Sequence, residues 1–318
     1  MGPVNGMNPA TVDYFPLVEY ARKIRLDDNV LFHLEETNRN FDEYLRHLAQ
    51  YDDYTVLHHW ISSLFNEIAF SQRIENHLIK PEDMLRESIF FDTLQMSHAR
   101  IKRLHQFVLD KDDKSIPDDY REKGEEVRVS AMNPDNGEEI LYWKGAQGAD
   151  VKKFMDDFIA LYKSNSLSLL NSNPFLKSAL VSLLFVRIHP FKDGNGRTSR
   201  MIYNIKFTDL INKIYNTKLK LCPLNLSRVI MMYRPTYAKT INNIYFDMEH
   251  DNNEEINAWF EFILRRADEE IFYGTNQIPQ LDRNMEQAAT AKAYDEEACN
   301  VDGNIVSEAS KMKLKKLR

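Results

Sequence analysis

From about Phe175 to Ile188 the chain is apolar on almost every side. Leu176, Ala179, Leu180, Leu183, Leu184, Phe185 and Val186 leave a helix of this sequence without a solvent face. Such a helix must be enclosed by other elements, and that requirement governs the rest of the fold. Its ends are marked. Asn173-Pro174 supplies an N-cap and a first-turn proline, and Pro190 cannot extend a helix past His189.

The enclosing elements also read as helices, because apolar residues recur three and four apart. One run starts at Leu31, Phe32 and Leu34 and continues through Phe41, Tyr44 and Leu45. Leu57, Trp60, Ile61, Leu64 and Ile68 mark a second, and Pro81 a new helix start. Leu94 to Leu109 carries Ile101, Leu104 and Val108; Val151, Phe154, Met155, Phe158 and Tyr162 mark another helix. Met201, Ile202, Ile205 and Leu210 follow the central helix, and Ile256, Trp259, Phe260 and Ile263 form the last good apolar face. One region departs from this pattern. Val127–Met132 and Ile140–Gly145 are β-prone runs around Asn133-Pro134-Asp135-Asn136-Gly137, and Asn-Gly is a strong hairpin turn signal. The expectation is an all-α helical bundle carrying one small β-hairpin.

At 318 residues, 43% hydrophobic and 28% charged, the chain has an ordinary globular composition. The net charge of −7 argues against nucleic acid as a partner. Cys222 and Cys299 lie far apart, with neither a disulfide framework nor zinc spacing. His58-His59 and the pair His98 and His105 lack metal-site spacing and read as packing or surface residues. No window is apolar enough for a membrane span, and the start lacks a signal-peptide pattern. The reading is a cytoplasmic protein with no membrane association. Three regions follow: residues 1–92 as an N-terminal helical region, 93–274 as the core domain, and 275–318 as a polar C-terminal tail ending in KMKLKKLR, either solvated or a loosely attached helix.

The chemistry concentrates between His189 and Arg200, in HPFKDGNGRTSR. The forced turn at Pro190 fixes the His189 imidazole at the lip of the buried helix, with Phe191 anchoring the loop. Gly194, Asn195 and Gly196 can turn successive amides inward as an anion-binding nest, beside the positive end of the next helix. Arg197 and Arg200, three apart, share one face of that helix and suit a polyphosphate. Asp193 offers a hard oxygen for magnesium. His189 can take a proton from a hydroxyl nucleophile near neutral pH. These residue types in this order point to phosphoryl or nucleotidyl transfer.

The segment matches, position for position, the HPFx(D/E)GNGRxxR signature of Fic-domain proteins, and the resemblance covers roughly residues 60 to 265. It implies a Fic-type helical bundle that transfers AMP from ATP, with Mg2+, onto a Ser, Thr or Tyr hydroxyl of a target protein. His189 is then the base, Asp193 the metal ligand, Gly194, Asn195 and Gly196 the anion hole, and Arg197 and Arg200 the phosphate-binding arginines. Ile101-Lys102-Arg103-Leu104-His105 resembles the family's opening core helix. The hairpin at about 127–145 sits where the family has its target-holding flap. Arg234-Pro235-Thr236-Tyr237 and Trp259 resemble a downstream RxxYY block followed by tryptophan, which puts Tyr237 at the nucleotide, although Ala238 replaces the second tyrosine.

Ser71-Gln72-Arg73-Ile74-Glu75-Asn76 resembles the inhibitory pattern (S/T)xxxE(G/N) of the family's self-inhibited class, with Ser71, Glu75 and Asn76 at the defining positions. The resemblance implies that Glu75 pairs with Arg200 and denies that guanidinium to the γ-phosphate. Other readings stay open at this level: a Fic enzyme that removes AMP, transfer of another phosphate-containing group, or a non-catalytic interaction module. A homodimer also stays open.

Overall fold

The computed structural model describes residues 14–75, 95–109, 119–132, 139–164, 169–217, 219, 222–244 and 253–299. It is all-α apart from one hairpin. The organising element is α7, Pro174–Ile188, in which every residue is buried. Asn173 caps it by accepting from the amides of Phe175 and Leu176, with Pro174 in the first turn. Its two cations lie toward its ends. The Lys177 ammonium donates to Leu161 O (2.8 Å) and Ser164 Oγ (3.2 Å), closing the C-terminus of α5, Gly148–Lys163. Burial, with Lys206 nearby, lowers the Lys177 pKa to about 7.

α7 packs along α8, Asn195–Ile214, and against α5 and the long α11, Asn253–Cys299. α11 also packs on α2, Asp28–Leu48, whose Phe41 meets Phe175 and Phe207 edge to face. α3, Asp53–Ile74, is capped by Asp52 and packs on the short α9, Ser227–Met232, and on α11. α1, Leu17–Lys23, covers α5. α4, His98–Val108, lies on α8; α6, Leu169–Ser172, precedes α7; α10, Arg234–Asn243, follows α9. Among the described residues no helix is long and apolar enough to cross a membrane.

β1, Arg128–Met132, pairs antiparallel with β2, Glu139–Lys144. Val129 pairs with Trp143 and Ser130 with Leu141, leaving Tyr142 as the extra residue of a bulge. The Asn136-Gly137 turn, the Pro81 helix start and Asn76 lie outside the described residues.

The stretch after Gly274, read from sequence as a solvated tail or a loosely attached helix, continues the same helix through Pro279 to Cys299, with Ile278 fully buried. Gly274 is a packing glycine. A Cβ there would stand 3.3 Å from Tyr44 Cε2 and 3.6 Å from His59 Nε2, so its absence lets α11 approach α2 and α3. Residues 300–318, with the basic end, lie outside the described residues.

Candidate active site

Four helix ends meet at one place: the C-termini of α3, α4 and α7, and the N-terminus of α8. His189 caps α7 in the left-handed conformation (φ 54°, ψ 58°). For a residue with a Cβ that conformation costs about 1 kcal/mol or more, so the surroundings have to impose it. The ring is oriented by Nδ1, 2.9 Å from Val186 O. A carbonyl only accepts, so Nδ1 carries the proton and Nε2 the lone pair. Burial lowers the His189 pKa to about 4, the Val186 bond opposing and the Arg121 charge adding to the shift. At neutral pH the imidazole is therefore a neutral base.

The loop after His189 is held by packing and by one side-chain amide. Phe191 is fully buried, with His105 stacked on it at 3.6 Å. Asn195 Oδ1 accepts from Phe191 N and Asn195 Nδ2 donates to Phe191 O, both at 2.9 Å. The Asn195 side chain thus closes the loop, and only its backbone remains for an anion. Gly194 turns the chain at φ 74°, a conformation suited to glycine. The first helical bond of α8 runs from Thr198 N to Gly194 O (2.9 Å), so the amides of Asn195, Gly196 and Arg197 precede the helical ladder. They form the positive end of α8, where anions bind.

Asp193 stands beside that end with its side chain 47% exposed, accepting from Gly194 N (2.6 Å) and facing Arg197 (3.3 Å). Its own carbonyl accepts from His105 Nε2 at 2.9 Å. Among the described residues no three His, Cys, Asp or Glu side chains form a metal-holding group. The half-open Asp193 carboxylate beside a phosphate-type site fits magnesium, which binds through one or two carboxylates, water and substrate phosphates.

Both arginines are buried and held by helix C-termini. Arg197 Nη1 donates to Val108 O at the end of α4 (2.9 Å) and to Gln72 Oε1 (3.1 Å). Arg200 donates from Nε to Ser71 Oγ (2.9 Å) and from Nη2 to Ser71 O (2.8 Å) and Glu75 Oε1 (2.9 Å). Burial works against the Arg200 charge, but Glu75 and Tyr237 together outweigh it and hold the guanidinium pKa above its ordinary value. Glu75 Oε2 lies 3.5 Å from Arg197 Nε, so one carboxylate faces both cations. A Cβ on Gly196 would fall 2.0 Å from Glu75 Oε1. The carboxylate therefore rests directly on the first turn of α8, at its anion position.

The structure thus brings His189, Asp193, Gly194, Asn195, Gly196, Arg197, Arg200, Ser71 and Glu75 together. Tyr237 lies beside them: it is buried, with its hydroxyl in hydrogen-bonding reach of the Arg200 side chain and its ring beside Trp259.

Two residues that the sequence did not single out matter to the site. Glu67, four before Ser71 on α3, is buried and accepts from Ser227 N (2.8 Å) and Ser227 Oγ (2.6 Å) at the start of α9. Burial raises its pKa, against those hydrogen bonds. It ties the helix that carries Glu75 to α9. Arg121 is buried under the His189 turn. No local sequence signal marks either one, since their partners lie far away in the chain.

The family model for the Fic/DOC family matches residues 93–205. The crystal structure of a Fic family protein from Desulfovibrio desulfuricans superposes with a TM-score of 0.57 at 15% identity, over 83% of this chain and 77% of that one. A Fic domain containing signaling protein from Bacteroides thetaiotaomicron gives 0.52 at 14% identity, over 78% of this chain and 97% of that one. At these identities the likeness speaks for the fold, while the family model covers the whole stretch from α4 through the first half of α8. The stretch that resembles the Fic/DOC family thus holds His189, Asp193 and both arginines.

Proposed function

We propose that the protein is an adenylyltransferase that moves AMP from ATP to a Ser, Thr or Tyr hydroxyl of a target protein, and that Glu75 restrains it. The observation that supports this most is a neutral His189, its proton held on Nδ1 by Val186 O, at the lip of a helix N-terminus backed by two arginines. ATP phosphates take the place of the Glu75 carboxylate on the amides of Asn195, Gly196 and Arg197, and Arg200 turns from Glu75 to the γ-phosphate. Asp193 would hold magnesium, which supplies charge neutralisation on the phosphates. The target hydroxyl gives its proton to His189 Nε2 as its oxygen bonds to the α-phosphorus. The bond to the bridging oxygen breaks, and pyrophosphate leaves with the electron pair. A target segment pairs along the β1–β2 hairpin, which presents its hydroxyl to His189.

The test is label transfer by the Glu75→Gly enzyme. Protein should be labelled from α-labelled ATP and remain unlabelled from γ-labelled ATP; the reverse pattern would refute AMP transfer. A second reading rests on Glu75 itself, which lies near enough to His189 to raise its proton affinity. The same carboxylate could orient a water that removes AMP. In that case wild type strips an adenylylated target and Glu75→Gly does not.

The pH profile follows from the lowered His189 pKa. A base acts unprotonated, so kcat/KM of Glu75→Gly should stay level from about pH 8 to about pH 5 and fall only toward the His189 value of about 4. An acid limb centred near the ordinary histidine value of about 6.5 would contradict the assignment. The same shift affects folding. The unfolded chain takes the proton first, so this contribution to stability is complete above about pH 6.5 and is lost as pH falls toward 4.

Gly196→Ala, added to Glu75→Gly, should weaken ATP binding at least about tenfold by calorimetry, because its methyl would occupy the anion position over α8. Undiminished ATP affinity would mean that the phosphates bind elsewhere.

A further inference from the structure

Arg121 is 2% exposed, and its guanidinium hydrogen bonds all end on backbone carbonyls. Nε donates to His189 O (2.8 Å), Nη1 to Glu125 O (2.7 Å), and Nη2 to Ala146 O (2.8 Å) and Ile188 O (3.3 Å). Its backbone amide adds a bond to Pro190 O at 2.8 Å. Three of these acceptors, Ile188, His189 and Pro190, are the consecutive residues of the turn that ends α7. Glu125 and Ala146 flank the hairpin. One planar group therefore joins the turn carrying the base to the foot of the hairpin.

We propose that Arg121 is a positioning residue for His189, holding the left-handed turn that aims Nε2; this rests on the adenylyltransferase reading above. The turn needs such a group. A left-handed His189 is unfavourable by itself, and the last carbonyls of α7 have no partner within their own helix. A cation at that end satisfies them and complements the helix dipole. Lysine could not replace it, because a single ammonium cannot reach four carbonyls in a planar fork. Space is also fitted to the guanidinium. A Cβ on Gly145 would lie 2.9 Å from Arg121 Nη2 and 2.8 Å from His189 Cβ, so hairpin foot, arginine and base are in close contact. A buried arginine that merely filled space would affect stability without selecting a kinetic constant.

The experiment uses full-length Glu75→Gly as parent and adds Arg121→Lys or Arg121→Ala. Expected are an ATP affinity within about twofold of the parent, a kcat lower by about a hundredfold, and partial recovery of kcat in Arg121→Ala with millimolar guanidinium. An unchanged kcat, or a loss carried by ATP affinity, would overturn the proposal. Nitrogen chemical shifts of the His189 imidazole give an activity-free readout. The parent should show the Nδ1-protonated form, and Arg121→Lys a mixture with the Nε2-protonated form. An unchanged tautomer in the variants would also overturn it. A parent that transfers no AMP counts against the proposed function, whereas the imidazole shifts still decide the role of Arg121.

Discussion

Glu75→Gly should raise AMP incorporation by about a hundredfold at saturating ATP and magnesium. The carboxylate makes a 2.9 Å bond to Arg200, lies 3.5 Å from Arg197 and rests on the first turn of α8. The arginine side chains are 5% and 3% exposed and Glu75 24%, so solvent screens the group only in part. A charge-assisted bond in such surroundings is worth about 2 to 3 kcal/mol, which is roughly 30- to 150-fold in rate if it must break before productive ATP binding. Glycine at position 75, the C-cap that follows α3, costs the helix little, so the variant should fold as wild type does. Glu75→Gln separates charge from bulk: it should release less, because the amide still covers the anion position. Initial rates from α-labelled ATP measure both. Equal rates for Glu75→Gly and wild type would remove the restraint from the account.

With Glu75 absent, His189→Ala should lower the rate by about 10²- to 10⁴-fold, the usual contribution of a positioned general base. The Ala variant keeps a Cβ in the left-handed turn, so it tests the imidazole rather than the backbone. His189→Gly relaxes the turn as well, and should be more stable than His189→Ala while equally inactive. ATP binding should persist in both, because the phosphate site proposed above is built from α8, Arg197 and Arg200. Activity within tenfold of the parent in His189→Ala would exclude His189 as the base.

The helical character was legible because it depends on local periodicity. The run from Phe175 to Ile188 required burial, and α7 is buried throughout. The hairpin followed from two β-prone runs around an Asn-Gly turn. The His189–Arg200 segment was readable because its groups lie within one loop and one helical turn, where spacing nearly fixes geometry. Residues whose partners lie far away were not readable. Arg121 looks like any surface arginine until the chain brings Ile188 and Ala146 to it. Glu67 becomes an anchor only when Ser227 starts a helix opposite. The polar stretch after Gly274 read as a solvated tail or a loosely attached helix, and α11 continues through it to Cys299.

Glu75 follows the last residue of α3 directly, so its grip depends on one helical turn remaining formed. Under the restraint proposed above, the off state is better described as a population than as a lock. With about 2 to 3 kcal/mol favouring closure, roughly one molecule in a hundred is open at any moment, and the closed enzyme has a small steady leak. A partner that frays this turn, or binds α3 better when it is displaced, needs to contribute only about that amount to reverse the balance. Warming, which loosens helix ends first, should raise the leak before the protein melts.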